Sequence, residues 1–534
     1  MLIRGRDAWP PALTGDLVEE RHFDRPVRCY PPGRPPGLAA LLDAAADRVP
    51  ERDAVVDHER HLTWRQLRRE VDRHAAALHR RHLLKPGERV ALHLMNGIPF
   101  CVALFACARL GAIAVPVNTK LRAHELRFML EDAAPRVFIG SAAWWPEVAP
   151  VRDALPCEAY YLVGGSAAGA SEFESLLDAG EAPPQVTADE DATALIVYTS
   201  GTTGRPKGAE LTGLGIVSSV MTYQRCLALG PDERSLVAMP MFHVTGLVAQ
   251  LLTMTYLGGT TVIMPTFDPG ETLALLDAAR ITHMVAAPTV YTMMMAQPDH
   301  RARGRALRTL VYGGAPMPRA AVRGLRDWLP LARLYNVYGL TETSSPATVL
   351  PDSEALVQAA SVGVPVPTAD VRIADPGTGA DCEAGEVGEV LVRGPMVVPR
   401  YWNNPDATAQ GLADGWLRTG DLARVGAGGS VTIMDRVKDM ITRGGEKIFS
   451  VEVEEVLCGH PDVFEAAVVG VPDPVYGEAI KAYVVPRPGR RIDPDGVRRW
   501  VWNVLAKYKV PRDIVIVDAL PRNPNGKVVK SALR

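Results

Sequence analysis

The stretch RVALHLMNGIPFCVALFACARLGAIAVPVNTKLRAHELRFMLEDAAPRVFI, residues 89–139, decides the fold class. Arg89–Met95 is a short β-rich segment, Phe100–Leu110 an apolar helix, Ala112–Val117 an apolar run, Leu121–Leu130 a further helix and Val137–Ile139 a strand. Strands that alternate with helices in this way predict an α/β fold with mainly parallel sheets flanked by helices. Phe100 to Val117 is the longest apolar run, but Arg109 and Pro116 interrupt it. It falls short of the roughly 20 apolar residues that span a bilayer, so it reads as a buried helix followed by a strand, with no integral membrane segment.

The pattern extends in both directions. Upstream, Thr63-Trp64-Arg65-Gln66 is a capping box, and Leu67, Val71, Ala75 and Leu78 recur behind it at helical spacing. Downstream, Ala194–Thr199 reads as a strand, Gly201–Gly208 as a loop and Leu214–Leu227 as a helix. The texture changes near Asp435. Beyond it the sequence predicts a small α+β unit: helices near Val451–Leu457 and Gly496–Leu505, and strands near Ala466–Val471, Ala482–Val485 and Ile514–Val517. A boundary between Met434 and Asp439 gives a large domain, 1–435, and a small one, 436–534.

Composition excludes several classes. With 58 Lys+Arg against 61 Asp+Glu the 534-residue chain has no basic excess to select nucleic acid. Its seven cysteines are scattered, with no CxxC pair, which disfavours a disulfide framework or a structural zinc site. The start MLIRGRDAWPPALTGD puts charges and prolines where a signal peptide needs an apolar run, so a cytoplasmic protein is expected.

Tyr198–Gly208 packs three glycines, four Ser/Thr hydroxyls and two cations into eleven residues behind an apolar strand. Glycines let backbone N–H groups approach an anion, hydroxyls add donors and a lysine supplies a point charge, so this is a phosphate-cradling loop by composition. It is not a Walker A loop, which needs Gly before the Lys, where Pro206 stands here.

The loop resembles the signature of the acyl-adenylate-forming superfamily, which includes acyl-CoA synthetases, peptide-synthetase adenylation domains and luciferases. Further matches follow in the family's order: Pro240–His243, Gly313–Pro316, Tyr338–Thr343, Trp416–Asp421, Asp435–Asp439, Arg443–Glu446 and Pro524–Lys527. The resemblance implies an ATP- and Mg²⁺-dependent ligase that makes an acyl adenylate with release of pyrophosphate, then transfers the acyl group to CoA. It places Thr199, Ser200, Gly201, Thr202, Thr203, Gly204 and Lys207 around the phosphates, and Glu342 with Thr199 on Mg²⁺. Gly314, Ala315, Tyr338, Gly339 and Thr341 would flank the nucleotide, and Asp421, assisted by Arg436, would hold the ribose. Lys527 matches the catalytic lysine that bridges substrate carboxylate and α-phosphate, Lys438 the hinge of the mobile small domain, and Arg443-Gly444-Gly445 the CoA passage.

His243, Val244 and Tyr291 fall in segments similar to those that line the acid pocket in relatives. Of Met293, Met294 and Met295, at most two can face one side of a helix. Neither segment carries an Arg or Lys for a second carboxylate, which favours an apolar monocarboxylic acid: a medium- or long-chain fatty acid first, an aryl acid second. Two departures from the family's pattern, Gly213-Leu214-Gly215 after Leu211-Thr212 and Lys447 where relatives often carry Asn, touch substrate detail more than the reaction. The alternatives are a ligase loading a carrier protein's phosphopantetheine, disfavoured by the compact spacing from Thr341 to Gly420, and a silent nucleotide-binding scaffold, disfavoured by intact Lys527, Glu342, Asp421 and Arg436. A homodimer is the assembly to test.

Overall fold

The computed structural model describes residues 1–177, 182–199, 205–522 and 528–534. Two compact units emerge, one of Ile3–Val371 and Val392–Arg418, the other of Met1–Leu2, Arg372–Leu391 and Thr419–Arg534. The line expected between Met434 and Asp439 lies inside the smaller unit.

Among the described residues the larger unit is built around two large sheets. The first, of seven strands, runs in the order Ser171–Glu172, Ala159–Val163, Val137–Ser141, Arg89–His93, Ile113–Pro116, Thr193–Thr199, Lys207–Thr212, parallel throughout except for the last pair. The second has nine. At its centre Arg333–Tyr338, Thr309–Gly313, His283–Ala286, Arg234–Val237, Thr260–Ile263 and Asp53–Val56 lie side by side and parallel, with antiparallel strands closing both edges.

The helices read from the sequence form where expected. Thr63 caps Trp64–His82, accepting from the Gln66 amide while Gln66 returns the bond to the Thr63 amide. Ile98–Arg109 follows Gly97 with Pro99 in its first turn and is buried from Ile98 to Cys107 except Pro99. One apolar cluster explains why this helix is hydrophobic all round. It joins Phe100, Val102 and Phe105 to Val90, Leu92 and Val197 of the first sheet and to Val55, Val237 and Ile263 of the second. A helix layer sandwiched between two sheets has no solvent face. Separate clusters cover the outer faces, among them Leu126, Met129 and Leu130 against Phe138 on the first sheet, and Leu276, Met294 and Leu325 against Leu310 and Leu334 on the second. No helix among the described residues is long and apolar enough to cross a membrane.

In the smaller unit the end of the strand Trp416–Val425, from Asp421 to Val425, pairs antiparallel with Val431–Arg436. A five-stranded sheet follows, with Gly477–Pro486 between antiparallel Val463–Asp473 and parallel Asp513–Ile516. Helices Ser450–Cys458 and Pro494–Val504 cover it through Val453, Leu457, Val497 and Val501. The α+β reading of this region is therefore borne out, and the sequence missed one hairpin, Ile441–Arg443 with Glu446–Ile448.

Candidate active site

Within the larger unit, the chemistry-bearing segments leave the C-terminal ends of neighbouring parallel strands. Gly313 and Val337 are register partners, so Gly313-Gly314-Ala315 and Tyr338–Glu342 emerge side by side. Met239–His243 follows Arg234–Val237, and the helix Pro288–Met295 follows His283–Ala286. Ligands of open α/β sheets bind at such strand ends. Gly314 takes φ +77° and is exposed with Ala315, and Gly313 has no room for a side chain, since a Cβ there would stand 2.2 Å from the Val337 carbonyl oxygen.

The turn that carries Glu342 is tightly constrained. A Cβ on Gly339 would meet the Ser345 carbonyl oxygen at 1.5 Å. Thr341–Thr343 is a single 3₁₀ turn, stitched by the Thr343 hydroxyl, which donates to the Leu340 and Ser345 carbonyls and accepts from the Leu340 amide. Ser344 and Ser345 follow at φ +49° and +117°, backbone that side chains rarely adopt. Strain of this kind concentrates at functional sites.

Thr199 ends its strand opposite Lys207, its register partner. The Thr199 hydroxyl lies 3.4 Å from Glu342 Oε1, and the Tyr401 hydroxyl donates to the same oxygen at 3.0 Å. The Lys207 ammonium sits 5.3 Å from the centre of the Tyr401 ring. Burial, then the Glu342 carboxylate, raises the Tyr401 pKa, so the phenol stays a proton donor. Among the described residues Glu342 Oε2 takes no hydrogen bond. The donors at Glu342 and Thr199 are oxygens and one is a carboxylate, a set that fits a hard cation such as Mg²⁺. Sequence reasoning missed Tyr401; its signal is only an aromatic ahead of Asn404-Pro405, where Asn404 caps the next helix.

In the smaller unit Asp421 faces Arg436 across the hairpin, with Arg436 Nε at 2.9 Å from Oδ1. Asp421 is buried and its amide donates to the Thr419 hydroxyl. Lys438 is exposed and its carbonyl accepts from Arg534. Arg443-Gly444-Gly445-Glu446 is a two-residue hairpin turn. Both glycines have positive φ, +60° and +90°, as a primed turn requires. Arg443 donates to the Tyr508 carbonyl and lies over the Tyr476 ring.

The remaining expected residues divide. His243 is half-buried with its ring edge-on to Phe242, 4.7 Å between centroids, and Val244 packs on the core between the sheets. Tyr291, expected at the acid pocket, lies in the apolar cluster on the outer face of the second sheet. It is fully buried among apolar side chains and its hydroxyl is used up on the Met284 and Val311 carbonyls. Met294 is buried and Met293 is exposed, as helical geometry requires of neighbours. Ser200, Gly201, Thr202, Thr203, Gly204 and Lys527 lie outside the described residues.

Comparison with known proteins gives a consistent result. The AMP-binding enzyme family matches residues 42–402, and the AMP-binding enzyme C-terminal domain matches 452–527. A feruloyl-CoA synthase of Amycolatopsis is 38% identical over 500 residues, covering 93% of this chain and 98% of its own. A long-chain-fatty-acid–CoA ligase of Mycobacterium tuberculosis is 34% identical over 479 residues, 89% of this chain and 92% of its own. The o-succinylbenzoate–CoA synthetase of Bacillus subtilis, solved with ATP and magnesium ion, superposes with a TM-score of 0.82 at 30% identity, covering 92% of this chain and 98% of that one.

Proposed function

We propose, for a chain that belongs to the AMP-binding enzyme family, an ATP- and Mg²⁺-dependent acid–CoA ligase acting in the cytoplasm on an apolar or aromatic monocarboxylic acid. One carboxylate oxygen of the acid bonds to the α-phosphorus of ATP as the bond to the β-phosphate breaks and pyrophosphate leaves. The CoA sulfur then bonds to the acyl carbon as the acyl–phosphate bond breaks, releasing AMP and the thiol proton.

The observation that carries this reading is the convergence of Thr199 and Tyr401 on Glu342, with Lys207, the register partner of Thr199, over the Tyr401 ring. An attacking carboxylate and a triphosphate repel, so the site must supply fixed positive charge. Lys207 and Lys527 supply it from the chain, and Ser200–Gly204 supplies hydroxyl and amide donors. Glu342 and Thr199 hold Mg²⁺, whose charge offsets that of the phosphates. Gly314, Ala315, Tyr338, Gly339 and Thr341 border the base, and Asp421 accepts from the ribose hydroxyls while Arg436 holds it in place. Lys438 is the pivot between half-reactions, and Arg443-Gly444-Gly445 borders the pantetheine.

An aryl or arylpropenoic acid is the leading substrate, supported by the feruloyl-CoA synthase's 38% identity. A long-chain fatty acid is the second reading, supported by the 34% identical fatty-acid ligase. The test is pyrophosphate release with ATP and Mg²⁺ over ferulate, benzoate, octanoate, palmitate and malonate, each with and without CoA. Release with ferulate or benzoate, and thioester only with CoA, is the expected result. Preference for palmitate exchanges the two readings, adenylate without thioester points to a carrier protein as acceptor, and silence with every acid overturns the proposal.

A further inference from the structure

We propose that Tyr401 is a positioning residue that sets the orientation of the Glu342 carboxylate and ties it to Lys207; the inference rests on the function proposed above. Tyr401 is 8% exposed, yet its hydroxyl is spent on a carboxylate and not on a backbone carbonyl, unlike that of core Tyr291. Tyr401 donates to Oε1 at 3.0 Å, and the Thr199 hydroxyl, which also reaches the Lys207 carbonyl, lies 3.4 Å from the same oxygen. A carboxylate held by one oxygen presents the other in a fixed direction, which is what a metal ligand needs from the groups behind it.

The backbone around Tyr401 is built to be rigid. Its amide donates to the Thr408 hydroxyl at 3.0 Å, and the Trp402 amide donates to the Gly208 carbonyl at 2.7 Å. Tyr401 also bridges antiparallel to Ala209, so the segment adds to the strand that begins at Lys207. The ring face takes the Lys207 ammonium. One side chain thus connects the phosphate-directed cation to the metal-directed anion, a linkage that phenylalanine would keep at the ring and lose at the oxygen.

Tyr401→Phe is the test, read in the full-length protein. The probe is Mn²⁺ in the presence of ATP, its free fraction followed by electron paramagnetic resonance, beside the Mg²⁺ dependence of pyrophosphate release. Loss of a hydrogen bond to a charged group should weaken Mn²⁺ binding roughly tenfold and raise the Mg²⁺ requirement alike, with an unchanged melting temperature. In a Glu342→Gln background the same change should cost little more, because the effect passes through the carboxylate. Unaltered Mn²⁺ affinity, an undiminished cost in the Glu342→Gln background, or loss of folding in Tyr401→Phe would each overturn the assignment. Failure of the functional reading is a separate event, seen as wild-type silence with every acid.

Discussion

Two pairs of functional side chains in this molecule are made in opposite ways. Asp421 and Arg436 meet because a hairpin's register sets them face to face, fifteen residues apart. Glu342 meets Thr199 across 143 residues and Tyr401 across 59, brought together by two sheets and a turn with two non-glycine residues at positive φ. A pair fixed by register survives any change that leaves the hairpin paired, whereas a convergence of remote segments depends on the least tolerant turn among them.

The sharpest way to break the contrast is Gly339→Ala. A methyl group there cannot coexist with the Ser345 carbonyl oxygen at 1.5 Å, so the turn must move and Glu342 with it. Stability should fall by about 3 kcal/mol in urea unfolding, and pyrophosphate release should drop by roughly a hundredfold. The Asp421–Arg436 hairpin has no part in that turn. A Gly339→Ala enzyme that keeps wild-type turnover would show that Glu342 does not depend on its turn.

Asp421→Asn probes the other side. The hairpin keeps its backbone pairing and Arg436, 45% exposed in its side chain, loses an ion pair worth less than about 1 kcal/mol. The expected signature is a KM for ATP raised roughly tenfold with stability nearly unchanged. A large stability loss with an unmoved KM would make the pair structural only.

The same contrast explains what could be read from the sequence. The capping box gave the start of Trp64–His82, and the apolar run placed Ile98–Arg109 to within two residues, because hydrophobic spacing and the Thr63–Gln66 box are local signals. The parallel sheet followed from alternation. Asp421 and Glu342 could be singled out by the resemblance of their motifs, but the bond from Tyr401 to Glu342 has no local trace. It arises only when residues 400–402 lie against Lys207–Thr212. The surroundings of Tyr291 were unreadable for the converse reason: an aromatic one turn into a helix at a strand end is equally suited to core and pocket, and its bonds to two backbone carbonyls arise only in the fold. The hairpin Ile441–Arg443/Glu446–Ile448 escaped notice because its strands are three residues each.

A third cluster, again built from remote segments, tests the contrast at its weakest. His22 sits between Glu20 at 2.9 Å and Asp191 at 2.8 Å, and Arg34 binds both Glu20 and Glu190. This clasp joins the N-terminal hairpin Val18–His22/Arg25–Cys29 to the approach of the strand Thr193–Thr199. Burial opposes a charge on His22, but its bonds to Glu20 and Asp191 outweigh it and raise the pKa above the ordinary 6.5. Arg34 holds Glu20 down to about 2 from 4.5. A raised histidine stabilises fully below its unfolded pKa and ceases to do so as pH rises through its folded one. A depressed carboxylate stabilises above its unfolded pKa and ceases to do so as pH falls through its folded one. The clasp should therefore be strongest between about 4.5 and 6.5. In His22→Gln the loss should be under roughly 1 kcal/mol, greatest in that window, and fade toward alkaline pH while the acid limb set by Glu20 and Arg34 remains. Urea unfolding of both proteins at a series of pH values measures it, and a difference that stays constant with pH would show that His22 contributes packing alone.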